Sequence, residues 1–130
     1  KKIQNFQINE IETSGEVKVN KLLYNKLKVY RNNPIANKSF NLNINSTSAK
    51  TIIAKDKKGN PTQYSIKLSI TLQITDDSNN KVDRIFSENS AYDNNDNKFD
   101  LRKYEDNLTK NMTEKIFSEM ILFIQTGSLL

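Results

Sequence analysis

The sequence predicts an α+β domain in which two helices pack on one face of a four-stranded sheet, in the order β-α-β-β-β-α. The strongest observation is an alternation: Tyr64, Ile66, Leu68, Ile70, Leu72 and Ile74 are apolar, and every odd position from Gln63 to Thr75 is polar. That is the period of a strand with one buried face. Two other segments instead space their apolar residues by three and four, the signature of a helix face. Clusters of Asn, Asp, Gly, Pro and Ser stand between the periodic segments and read as turns.

Taken in order, Ile3, Phe6, Ile8 and Ile11 predict a short first strand over 3–11. Ser14-Gly15 punctuates, and Val19, Leu22, Leu23, Lys26, Leu27 and Tyr30 then predict a helix over roughly 15–31. Asn32-Asn33-Pro34 ends it, because the residue before proline is pushed out of helical angles. Phe40, Leu42 and Ile44 alternate with asparagines as a second strand, which resumes at Thr51-Ile52-Ile53 after a break or bulge at Ser46–Lys50. The turn 55–61 joins it to the third strand in a long hairpin, and 76–80 turns into a fourth strand over 82–91 marked by Val82, Ile85 and Phe86. A polar loop at 93–97 precedes a second helix of about 26 residues and about 39 Å. Its apolar positions fall at Tyr104, Leu108, Met112, Ile116 and Met120, and Gly127 is its predicted stop.

The chain has 130 residues and 35% apolar content, which suits one domain with a thin core and one open sheet face. It has no cysteine and no histidine, so thiolate chemistry, imidazole catalysis and the usual zinc sites are excluded. No stretch approaches the ~20 apolar residues that cross a bilayer. The net charge of +5 is unevenly placed: residues 1–67 hold 13 basic and 4 acidic side chains, and 68–130 hold 7 and 11. A basic region of this kind attracts the phosphates of nucleic acid, lipid or glycolipid.

Asp93, Asn95 and Asn97 match the first positions of a calcium loop, but Lys98 replaces its glycine and Tyr104 its bidentate glutamate. No metal and no cofactor is therefore expected. The carboxylate pairs Asp76/Asp77 and Glu105/Asp106 lack convergent partners, and no phosphate-loop, nucleophile-elbow or dinucleotide motif occurs. A binding protein is expected rather than an enzyme.

Two binding candidates remain. Lys50, Lys55, Lys57 and Lys58 crowd the hairpin tip against a single Asp56, and flexible lysines hold phosphate as point charges. The outward positions Asn41, Asn43, Asn45, Ser65, Lys67, Ser69, Thr71, Gln73 and Thr75 carry one charge among nine, a surface for a polar partner or for water. Of these, Asn41, Asn43, Lys67, Ser69, Thr71 and Gln73 form the predicted contact face. Met120-Ile121-Leu122-Phe123-Ile124 is apolar all round, which predicts a buried helix end or else a partner patch.

Taken together, the short strand, the helix Val19-Asn20-Lys21-Leu22-Leu23-Tyr24-Asn25-Lys26-Leu27, the long hairpin, the strand closing on Ser90-Ala91-Tyr92-Asp93 and the long terminal helix resemble the LPS-assembly lipoprotein family (LptE). The resemblance covers nearly the whole chain. It implies a lipoprotein on the periplasmic side of the outer membrane, seated in the β-barrel protein LptD and assisting lipopolysaccharide export. Family members are tethered by an acylated N-terminal cysteine, which this sequence lacks. The anchor is therefore expected in a segment upstream of Lys1, where the chain opens without methionine. A basic nucleic-acid-binding module is the alternative, and it is disfavoured. The open face lacks base-stacking aromatics, and the element order is not the β-α-β-β-α-β of an RNA-recognition motif.

Overall fold

The computed structural model describes residues 6–126, and its element order is the predicted β-α-β-β-β-α. Strand β1 spans Phe6–Gly15, helix α1 Val17–Leu27, β2 Lys38–Lys55, β3 Pro61–Thr75, β4 Lys81–Asp93 and α2 Lys98–Gln125. The sheet order is β1-β2-β3-β4. β1 runs parallel to β2, with α1 carrying the chain back between them, and β2, β3 and β4 form an antiparallel meander. Ile3 and Gly127, assigned above to a strand and a helix stop, lie outside the described residues.

Strand β3 is the centre of this sheet. Leu68, Ile70, Leu72 and Ile74 are completely buried and Ile66 nearly so, with Tyr64 half-buried at the far end. Both helices cover this face, with Leu23 and Leu27 from α1 and Ile116 and Met120 from α2 sealed in the same core. The odd positions of β3 are half-buried or exposed on the uncovered side.

Two sequence expectations need correction. The predicted break at Ser46–Lys50 does not occur, because Asn41 through Ile52 pair residue for residue with Thr75 through Tyr64. Ser46 faces the core at an apolar position and is satisfied there. Its hydroxyl donates to Asn20 Oδ1 at 2.7 Å and accepts from the Glu16 amide at 2.9 Å, while Asn20 Nδ2 donates to the Ser14 carbonyl at 2.9 Å. The register irregularity lies instead between Ile52 and Lys55.

The first helix is shorter than the predicted 15–31. β1 continues to Gly15, whose φ of +102° turns the chain into α1, and after Leu27 the helix tightens into a 3₁₀ turn at Lys28–Tyr30 before Asn32 takes a left-handed φ of +59°. In α2 the strict fours do not make one buried stripe. A step of four advances 40° past a full turn, so Tyr104 is half exposed while Met112, Ile116 and Met120 are buried. At the apolar end of α2, Met120, Ile121 and Ile124 are buried and Leu122 is 60% exposed.

Both hairpin turns use one solution. Asp56 Oδ1 accepts from the amides of Lys58 and Asn60, each at 2.9 Å, and Asp76 Oδ1 accepts from those of Ser78 and Asn80, each at 2.9 Å. The fourth residue of each turn is left-handed, Gly59 at φ +87° and Asn79 at φ +65°.

Candidate functional site

The uncovered face of the sheet is a polar ladder. Across β2, β3 and β4 its central rows are Asn45-Thr71-Ile85, Thr47-Ser69-Ser87, Ala49-Lys67-Asn89 and Thr51-Ser65-Ala91. Lys67 is the only charged residue in these four rows. Asn41 and Asn43 extend the face on β2, opposite Thr75 and Gln73, so the six predicted contact residues share one side of the sheet. The surface is partly satisfied by itself. Ser65 Oγ donates to Asn89 Oδ1 at 2.7 Å, the Ser69 and Ser87 hydroxyls lie 3.2 Å apart, and Ser14 Oγ donates to Asn45 Oδ1 at 2.9 Å. Ile85 stands out of this ladder, 65% exposed. Its outward position was hidden because Val82, Ile85 and Phe86 together break the period of two.

The predicted lysine cluster divides. Lys55, Lys57 and Lys58 are exposed at the tip, and among the described residues none has a carboxylate within ion-pair distance. Asp56, the acid between them, is occupied by its own turn. The hydrogen bond from the Asn60 amide, aided by that of Lys58, holds its carboxyl below the ordinary aspartate range.

Lys50 pairs with Ile66, an inward residue, and so points to the helix side. There its Nζ lies 2.8 Å from Glu105 Oε2 and 4.2 Å from the centre of the Tyr64 ring. Glu105 also accepts the Tyr92 hydroxyl at 2.5 Å, and Tyr64, Tyr92 and Tyr104 pack around the pair with ring centres 5.7 and 5.8 Å apart. Lys50 thus clasps the hairpin to α2 and does not add to the free charge of the tip.

The clasp titrates. Partial burial pushes the Glu105 carboxyl up, but the hydrogen bonds from Lys50 and Tyr92 and the charges of Lys50 and Arg102 outweigh it and hold it below the ordinary glutamate range. Burial and the Glu105 acceptor drive the Tyr92 phenol upward, so it stays a donor. A carboxyl lowered by folding stabilises the fold above its unfolded value of about 4.3, and that stability is lost as pH falls through the lower folded value. Glu105→Gln should therefore lower the urea midpoint at neutral pH and flatten the acid limb below about pH 4. An acid limb identical to wild type would show that Glu105 does not carry this linkage.

The 93–97 loop is committed to local structure. Asn97 caps α2 by accepting from the amides of Phe99 and Asp100, each at 3.1 Å, and Asn95 accepts from the Asn97 amide at 2.9 Å. Among the described residues no three metal-ligating side chains gather, and no helix is long and apolar enough to cross a membrane. A groove of about 680 Å³ lies between the start of α1 and the middle of α2, lined by Val17, Val19, Leu22, Ser48, Thr109 and Thr113 among others. None of the predicted site residues borders it.

No protein-family model and no curated protein matches this sequence. Solved structures do match the fold. The crystal structure of the rare lipoprotein B from Shewanella oneidensis superposes with a TM-score of 0.70 at 11% identity, covering 93% of this chain and 97% of that one. A minor lipoprotein from Acinetobacter baumannii gives a TM-score of 0.64 at 17% identity, covering 92% of each chain. The solution structure of an uncharacterized lipoprotein B from Nitrosomonas europaea gives 0.63 at 8% identity, covering 98% of this chain and 88% of that one. At these identities the likeness establishes a shared fold along nearly the whole length of both partners.

Proposed function

We propose that this chain is a lipid-anchored subunit of lipopolysaccharide assembly on the periplasmic side of the outer membrane. Its open sheet face leans on an LptD-type β-barrel, and its hairpin tip meets lipopolysaccharide. The observation that carries the reading is the separation, on one sheet, of four central rows in which Lys67 is the single charge, with Glu12, Lys81 and Asp83 at their margin, from a tip whose three lysines have no carboxylate partner among the described residues. Such a surface can lie against a barrel wall with one charge, Lys67, left for the partner to meet. Lys55, Lys57 and Lys58 match the anionic headgroup of a glycolipid. The fold shared with three bacterial proteins named as lipoproteins supports the reading, as does the sequence resemblance to the LptE family.

The two surfaces are tested separately. Lys55→Glu with Lys57→Glu and Lys58→Glu should weaken lipopolysaccharide capture about tenfold, ~1.4 kcal/mol, while leaving barrel co-purification intact. Ser69→Lys with Thr71→Lys should do the reverse and leave the melting temperature within a few degrees. A barrel that folds and exports normally when this protein is deleted would overturn the proposal. For the nucleic-acid alternative, the outward positions of β2, β3 and β4 bear no aromatic ring on which a base could stack. Tight, salt-dependent binding to single-stranded RNA would restore that alternative.

A further inference from the structure

The segment from Val17 to Lys38 holds six basic residues and no acidic one. Two of the six are spent between helices: Lys18 lies 3.7 Å from Asp106, and Lys26 lies 3.8 Å from Glu114. Lys21, Lys28, Arg31 and Lys38 have no carboxylate partner among the described residues. Arg31 donates to the Tyr24 hydroxyl at 3.2 Å, a neutral acceptor that leaves its charge uncompensated. Lys21 and Tyr24 of α1 and Lys28, which opens the 3₁₀ turn, follow one another at three and four, away from the buried Val19, Leu23 and Leu27. Interleaved with these cations, Val29 is 73% exposed and Ile35 69% exposed. A single exposed aliphatic residue is ordinary. Two of them among unpaired cations, in a stretch without acids, make the pattern of a surface that rests on an anionic bilayer.

Resting on the lipid anchor of the proposed function, the path of the chain points to the same corner. Phe6 stacks on Tyr30 with ring centres 5.3 Å apart, and Asn33 Nδ2 donates to the Phe6 carbonyl at 3.1 Å. Phe6, the first of the described residues, therefore lies at this same corner. The nearest acids along the chain are Glu10, Glu12 and Glu16. Glu12 pairs with Asn43 and belongs to the open face, on the other side of the sheet from α1.

We infer that the corner formed by α1, the 3₁₀ turn and the loop into β2 docks on anionic phospholipid, with Val29 and Ile35 entering the headgroup boundary and Lys21, Lys28, Arg31 and Lys38 meeting phosphates. This surface is separate from the glycolipid tip. β2 runs from Lys38 at this corner to Lys55 at the tip, roughly 55 Å of strand. The inference also stands apart from the barrel reading, because its test uses the protein alone.

The full chain is sedimented with phosphatidylethanolamine vesicles, with and without phosphatidylglycerol. Wild type should bind only the anionic vesicles, and added salt should weaken but not abolish the binding. Each basic residue at such a surface is worth about fivefold in partitioning, so Lys28→Glu with Arg31→Glu should lower it at least tenfold. Val29→Ser with Ile35→Ser, which leaves the charge unchanged, should also lower it severalfold. The triple tip variant at Lys55, Lys57 and Lys58 should bind like wild type. All these side chains are exposed, and an unchanged melting temperature confirms folding. Absence of wild-type binding, an equal loss in the tip variant, or unaltered binding of the serine variant would each overturn the assignment.

Discussion

Gly15→Ala should destabilise the domain by about 3–5 kcal/mol, among the largest effects open to a single methyl group. Two causes act together. Gly15 holds φ at +102°, where an L side chain is strained by about 1–2 kcal/mol, and a Cβ built there would lie 1.9 Å from the Ser46 carbonyl oxygen. That oxygen belongs to backbone in the interior of β2, so no side-chain rotation relieves the clash. The strands must separate, and with them goes the Glu16 amide's hydrogen bond to the Ser46 carbonyl at 3.2 Å. Gly59→Ala is the matched control, since its φ is +87° but nothing stands within 4 Å of the added methyl. Urea denaturation should show only the backbone strain at Gly59. Equal losses at the two positions would refute the steric account of Gly15.

Leu68→Asp should abolish cooperative unfolding. Leu68 has no exposed surface and lies at the middle of β3, between Ser48 of β2 and Glu88 of β4. Truncation to alanine would cost about 2–5 kcal/mol for lost packing and the cavity. Aspartate adds a buried carboxylate beside Glu88, whose nearest cation, Lys115 at 3.4 Å, is already engaged. The sum approaches the whole stability of a domain of this size. Near-ultraviolet circular dichroism through a thermal ramp checks it. A variant that melts within a few degrees of wild type would mean that the even side of β3 is not the core.

The β3 alternation was legible because strand period and burial coincide there without exception. Elsewhere the pattern and the packing part company, and each departure has a cause. Ser46 interrupts an apolar series, which reads as a bulge, yet the pairing runs unbroken through it and Asn20, from a helix 26 residues away in sequence, satisfies its hydroxyl. No local rule carries that information, although a lone polar residue at an inward position does mark where a buried partner is needed. Lys50 reads as one of four tip lysines along the chain, but parity places it on the opposite side of the sheet from Lys67. Counting in twos from Leu68 through the hairpin would have found this only once the register of β2 on β3 was known. The predicted contact face followed from parity alone. The basic corner at Lys28 to Lys38 was missed because its charges are spread over 11 residues and gather only when the chain folds back to Phe6.

The paired hairpin turns have a consequence for how such a protein can change over time. In Asp56-Lys57-Lys58-Gly59-Asn60 the first, fourth and fifth residues shape the loop, and Asp76-Asp77-Ser78-Asn79-Asn80 reaches the same geometry with acid and serine at the second and third. Shape and charge are therefore written in different letters. Selection can raise, erase or invert the charge carried at either end of the meander, one codon at a time, while the strands on both sides keep their register.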